Sequence, residues 1–337
     1  MACVKHGRQS FISESQPVIR CWASTAGKKE SEGPLAAYFD IVHRDAYFGA
    51  KTWEQAENTM QQLTLRMLKQ KACIGDEEID IVFSGDLLNQ CVGSSFPLSG
   101  TGIPHIGIYG ACSTMAESLL LSAIAVESGI ANNVVAITSS HFAASERQYR
   151  FPLGYGGQRP QTSQWTVTGS GAALVSRDAV GPRITSCTIG TVTDMGICDA
   201  NNMGAAMAPA ALNTILAHFN DLKISAQNYD LIVTGDLGAH GKEMLLKLAQ
   251  KQGVSLGENL VDCGTMIYDL SRQDVHSGGS GCGCSAITLC GYLLRNLSER
   301  KLRNILFCGT GALLSPTSVQ QGHSISGICH AVAITGV

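Results

Sequence analysis

An eight-residue run occurs twice in this chain. Asp80-Ile-Val-Phe-Ser-Gly-Asp-Leu87 returns 150 residues later as Asp230-Leu-Ile-Val-Thr-Gly-Asp-Leu237. A second pair follows in the same order: Asn133-Val-Val-Ala-Ile-Thr, and 171 residues on, Asn304-Ile-Leu-Phe-Cys-Gly. One short match carries little weight, but two in the same order are hard to obtain by chance. Both halves place a buried-looking helical segment before the second strand, Ser113 to Gly129 in one and Gly283 to Leu297 in the other. Both finish on an apolar strand, near Ala172 and near Ala331. Two copies of a strand–helix–strand unit imply a duplicated α/β layered fold. The break at Gly181-Pro182 divides the chain into halves 1–180 and 181–337, joined near Val180.

The stretch from His105 to Gly129 organises the first half. His105 to Tyr109 has strand length, the chain turns through Gly110-Ala111-Cys112, and a helix is expected from about Ser113 to Gly129. Thr114 and Glu117 have capping-box spacing. Only Glu117 and Glu127 are charged along that helix, so all its faces should be buried. Cys112 therefore sits at the positive end of a buried helix, which should lower a thiol pKa and offer N–H groups to an anion. The plainer alternative is a small hydrophobe packed at a turn.

Around this centre, strands are expected over Val18–Ser24, Asp80–Gly85 and Val134–Thr138, and a helix over Thr52–Gln70. Phe142 to Thr168 is long, polar and aperiodic, and reads as a functional loop carrying Arg147, Arg150 and Arg159. In α/β units, ligands bind where the carboxyl ends of parallel strands meet. Asp86, Cys112 and His141 each follow a first-half strand and Asp236 follows a second-half one, so they should converge on one cleft. Asp86 and Asp236 also read as cap or turn residues. His141, in a loop beside Ser139 and Ser140, has no evident packing role.

Composition narrows the classes. A formal charge of −3 without any Lys/Arg block argues against nucleic acid. The 13 cysteines are odd in number and form no CxxC pair, and the lone Cys282-Gly-Cys284 is weak support for a metal, so neither metal nor cofactor is expected. With no signal-peptide core and no long uncharged apolar run, the expectation is a soluble chain in a reduced, cytosolic-side compartment.

A duplicated α/β chain with a Cys at the start of a buried central helix resembles the thiolase and ketoacyl synthase superfamily. Longer strings sharpen the match. Gly85-Asp86-Leu-Leu-Asn89-Gln90, Tyr109-Gly-Ala-Cys112-Ser-Thr, Ser139-Ser-His141, Glu146-Arg147-Gln148 and Tyr155-Gly-Gly-Gln158 are similar to the stage V sporulation protein AD family. So are Thr166-Val-Thr-Gly-Ser-Gly171, Met207-Ala-Pro-Ala-Ala211, Gly278-Gly-Ser-Gly-Cys282 and Thr310-Gly-Ala-Leu-Leu-Ser-Pro316. The resemblance implies a thiolase-like fold with α/β/α/β/α layers, in an endospore-forming bacterium. It implies a part in moving dipicolinic acid (pyridine-2,6-dicarboxylic acid), free or as its calcium chelate, into the developing spore. Partners would be other proteins of the same operon, including membrane components, with the chain peripheral to the forespore or spore inner membrane. Thiolase folds usually dimerise, so a homodimer is a further expectation.

Condensing enzymes of this fold add to the Cys a His and either an Asn or a second His from the second half. Here Gly235-Asp236 stands where one branch has its His, and the run Gly278 to Gly283 offers Ser280 and no Asn. Three readings follow. One is a dipicolinate-binding protein using Cys112, His141, Arg147, Arg150 and Tyr155, with Asp86, Asn89, Asp236 and Ser280 around them. The second is an acyltransferase with Cys112 as nucleophile and His141 as base. The third is a scaffold docked on membrane partners.

Overall fold

The computed structural model describes residues 3–149 and 158–337. The first half contains β1 (Cys3–His6), β2 (Ser10–Ser13), β3 (Val18–Ala26), β4 (Ile41–Val42), α1 (Trp53–Ala72), β5 (Ile81–Gly85), α2 (Val92–Ser95) and β6 (His105–Gly107). It continues with α3 (Thr114–Glu127), β7 (Asn133–Ser140), α4 (Phe142–Tyr149), β8 (Trp165–Thr166) and β9 (Gly169–Ser176). The second half contains β10 (Arg183–Thr188), α5 (Met203–Leu222), β11 (Leu231–Thr234), α6 (Gly238–Lys251), β12 (Leu260–Asp262), α7 (Cys263–Met266) and β13 (Gly279–Ser280). Then come α8 (Cys282–Ile287), α9 (Leu294–Ser298), β14 (Asn304–Leu313), α10 (Pro316–Gln320) and β15 (Ser326–Thr335).

The repeat in the sequence is a repeat in the sheet. Strand order is β6-β5-β7-β9-β3 in the first half and β12-β11-β14-β15-β10 in the second. In each, the first three strands are parallel and the last two antiparallel. The two sets meet only at Arg183 opposite Val18. The sequence repeat falls on equivalent strands, β5 with β11 and β7 with β14.

Between the sheets lie α3 and the segment from α8 to α9, which runs through a π-helical stretch at Thr288–Leu293. Both are buried, share one apolar cluster and touch each other. Each also packs on the other half's strands, α3 on β14 and β15, α8 on β7 and β9. Helix α1 covers the outer face of the first sheet, and α5 and α6 that of the second. The result is the α/β/α/β/α stack.

Helix and strand approach closely across these layers. A Cβ on Gly171 of β9 would lie 2.5 Å from the carbonyl oxygen of Ala286. Gly171→Ala is therefore expected to cost about 1–3 kcal/mol, read as a lower midpoint in chemical unfolding. Gly107→Ala, where only the His105 ring comes within 4 Å, should be nearly silent.

Two local expectations change. Among the described residues the segment after β7 is partly regular, since Phe142–Tyr149 is helical and Trp165–Thr166 pairs with Gly279–Ser280. The capping box is not formed. The Thr114 hydroxyl donates to the Ala111 carbonyl (2.6 Å), and the buried Oε2 of Glu117 has no hydrogen-bond partner among the described residues.

Candidate binding site at Cys112

The turn that presents Cys112 is tight. Ala111 adopts φ +50°, a left-handed conformation that a non-glycine residue holds only where its surroundings impose it. Ser113 N–H returns to Gly110 O (3.0 Å) and helix α3 begins at Thr114. Cys112 is left buried, with Leu87 and Cys282 as apolar neighbours.

The second half supplies the residue that faces it. Asp236, just beyond β11, is fully buried. Its Oδ1 accepts from Thr310 Oγ1 (2.8 Å), and its Oδ2 accepts from Ser280 Oγ (3.1 Å) and Gly281 N (2.9 Å). The Cys112 thiol is a further donor. Burial pushes the Asp236 carboxyl up to about 6 in spite of these donors. Burial, and then the Asp236 carboxylate, push the Cys112 thiol well above its ordinary value. The expectation of a helix-activated thiolate is thereby overturned: desolvation and a facing carboxylate outweigh a helix terminus.

A cavity of about 250 Å³ opens beside the thiol. Its wall combines Leu87, Tyr109, Tyr149, Met203 and Leu314 with Cys112, Glu146, Thr166, Asn201 and Ser280. The hydroxyls of Tyr109 and Tyr149 meet at 3.1 Å, and Tyr149 Oη also donates to Leu87 O (2.8 Å). Glu146 accepts from Thr166 Oγ1 (2.9 Å). Among the described residues no Lys, Arg or His lines this cavity.

Of the residues picked from sequence, Cys112, Asp236 and Ser280 come together here. His141 is not among the residues that line this cavity. Its Nε2 donates to Ala46 O (2.7 Å), and its Nδ1 accepts from Ala144 N (3.4 Å) at the start of α4. Burial holds its pKa below the usual imidazole range, and Phe48 packs edge-on against it. This is the packing role the sequence did not reveal.

Asp86 is a turn residue, accepting from Leu88 N (2.8 Å) and Ser94 Oγ (2.6 Å). Beside it, Glu57 is buried with no hydrogen-bond partner for Oε2 among the described residues, and burial plus the Asp86 charge push that carboxyl well up. Asn89 lies at the surface, where its N–H donates to Gln148 Oε1 (2.9 Å). Arg147 does not enter the cavity; it pairs with Glu54 and lies over the Trp53 ring. That pair is half-exposed, so Arg147→Ala should cost less than about 1 kcal/mol of stability and leave ligand affinity unchanged in a titration. Arg150 and Tyr155 lie outside the described residues.

Glu146, Tyr149, Thr166, Asn201 and Thr310 were not singled out from sequence. Glu146, Thr166 and Thr310 stand within strings that carry the family resemblance, and that was the available signal. No cluster of three or more His, Cys, Asp or Glu suited to a metal occurs among the described residues. The thiols of Cys282 and Cys284 donate instead to Ser139 O (2.9 Å) and Gly235 O (3.6 Å).

Comparison with known proteins agrees with this architecture. The pattern of the family described as stage V sporulation protein AD matches residues 7–335. Stage V sporulation protein AD of Bacillus subtilis (strain 168) is 41% identical over 326 residues, covering 97% of this chain and 96% of that protein. Among solved structures, 3-oxoacyl-[acyl-carrier-protein] synthase III from Aquifex aeolicus VF5 superposes with a TM-score of 0.56 at 13% identity, over 95% of this chain and 99% of that one. The tetronic acid condensing enzyme AbyA1 gives 0.58 at 13% identity, over 95% and 100%. At such identities these two speak for the fold alone. A duplicated thiolase-like fold, matched along nearly its whole length, makes this chain a member of the stage V sporulation protein AD family.

Proposed function

We propose that the chain binds dipicolinic acid in the cavity at Cys112, chiefly as the calcium chelate, and takes part in its uptake into the developing spore. The observation that carries the binding reading is Asp236. A condensing enzyme needs a thiolate and a partner that stabilises it. Here the group facing the thiol is a buried carboxyl that makes the thiolate harder to form.

Charge favours the chelate. An uncompensated dianion is costly in a buried wall that holds a carboxyl and, among the described residues, no cation. The calcium chelate is neutral overall and leaves the metal open to oxygen donors, the ligand type calcium prefers. Glu146, Asn201 and Ser280 supply such oxygens on the cavity wall. The tyrosines and Leu87 suit a planar ring.

No described helix is long and apolar enough to cross a membrane. Passage across the forespore membrane would then fall to membrane proteins of the same operon, with this chain presenting the ligand from the cytoplasmic side.

A second reading, acyl transfer on Cys112, draws on the strained turn at Ala111 and on the fold. It requires the thiol to give up its proton where burial and the facing Asp236 carboxylate both oppose the thiolate. Calorimetry of the purified chain with dipicolinate, with calcium and with a calcium chelator, tests the proposal. One bound chelate per Cys112 cavity is expected. The absence of heat in both conditions would remove the binding reading.

A further inference from the structure

A second cleft, of about 300 Å³, lies on the far side of β8. Consecutive strand residues point to opposite faces. Accordingly Thr166 lines the Cys112 cavity while Trp165 lines the cleft. Phe142 stacks on Trp165 with ring centroids 3.9 Å apart and planes 8° from parallel.

Two cations share the Trp165 ring. Lys29 Nζ lies 3.7 Å from its centroid and the Arg159 guanidinium carbon 4.9 Å from it. Lys28 adds a third positive charge at the rim. Arg159 pairs with the exposed Asp274 (2.8 Å), yet its buried Nη1 has no hydrogen-bond partner among the described residues. Burial, and to a lesser degree Arg159, weaken the hold of Lys29 on its proton, and Asp274 opposes this. Of the two acids at the cleft, Glu32 is exposed. Glu30 is buried, accepts from Thr168 N (3.0 Å) and Tyr268 Oη, and is pushed by burial toward its neutral form. Lys28 and Lys29 on the cleft wall, with Arg159 beside the Trp165 ring, thus gather positive charge here. A carboxylate bridging Lys29 and Arg159 would answer both through charge-assisted hydrogen bonds.

We infer that this cleft is a separate anion site that takes a planar aromatic dicarboxylate in its free, metal-free form. One carboxylate bridges Lys29 and the Arg159 guanidinium, which share the Trp165 ring, and the ligand ring lies along the edge of the Phe142–Trp165 pair. The inference rests on the reading of the chain as a dipicolinate-binding protein. Charge then sorts the two forms of one ligand across a single strand, with the dianion at the cationic cleft and the neutral chelate in the Cys112 cavity.

The test is a titration of the full chain with dipicolinate in the presence of a calcium chelator, and separately with excess calcium. The parent, Lys29→Gln, Lys29→Arg and Cys112→Trp are compared. In chelator, Lys29→Gln should weaken binding at least about tenfold and Lys29→Arg should restore most of it. Cys112→Trp should stay within about threefold of the parent. With calcium, Cys112→Trp should lose the chelate while Lys29→Gln keeps it. If Lys29→Gln binds free dipicolinate like the parent, or Cys112→Trp abolishes that binding, the cleft is not the site and the inference falls while the dipicolinate reading stands. If the parent binds neither form, both fall together.

Discussion

Cys112→Trp is expected to lower affinity for the calcium chelate by at least about a hundredfold, or about 2.7 kcal/mol, while Cys112→Ser stays within about tenfold. Cys112 is buried on the wall of a cavity of about 250 Å³, and an indole in place of a thiol fills much of that space. Serine keeps the size, the backbone N–H at the start of α3 and a donor for Asp236. Were the thiol a nucleophile, serine would be as damaging as tryptophan, because a hydroxyl lacks the needed acidity. Titration of both variants with calcium dipicolinate, beside a thermal melt to establish folding, separates the two. Equal, total loss in both would argue for thiol chemistry.

Asp236 should show the other large effect. Asp236→Ala strips the acceptor from Thr310 Oγ1, Ser280 Oγ and Gly281 N–H, all buried. Unsatisfied buried donors cost about 1–3 kcal/mol each, and not additively, so a loss of about 3–5 kcal/mol is expected. Asp236→Asn, which keeps the shape, should behave differently. The native carboxyl titrates near 6 against an ordinary 3.8. A raised carboxyl favours the folded state at pH values below 3.8, and that contribution is lost as pH rises through 6. Between pH 7 and pH 5 the parent should therefore gain stability that Asp236→Asn does not gain, seen as a smaller shift in denaturation midpoint. Removing the facing charge also lowers the thiol pKa, so alkylation of Cys112 at pH 8 should run about tenfold faster. Identical pH profiles and alkylation rates would mean that Asp236 does not govern this thiol.

The layered fold was readable because strands covered on both faces become near-continuous apolar runs. Asp80–Leu87 and Asp230–Leu237 are such runs, and they fall on equivalent strands of the two sheets. The central helix was readable for the same reason, since nearly every residue from Thr114 to Glu127 is buried. Helix α4 was not readable. It is mostly polar and is preceded by His141, whose ring nitrogen takes the place of the Ser, Asp or Asn that usually marks a helix start. The state of the thiol was misread because a sequence shows the local helix terminus and hides groups brought in from afar. Asp236, Ser280 and Thr310 reach Cys112 from three separate second-half elements. Nothing local in the sequence reveals that Arg147 pairs with Glu54, on α1.

The proposed role of Cys112 is binding without group transfer. Its most direct test is intact mass spectrometry of the parent chain after incubation with acyl thioester donors near pH 7.5, with peptide mapping of Cys112. The expected result is an unchanged mass and a free Cys112 thiol. A stoichiometric acyl adduct on Cys112, absent from Cys112→Ser, would contradict it.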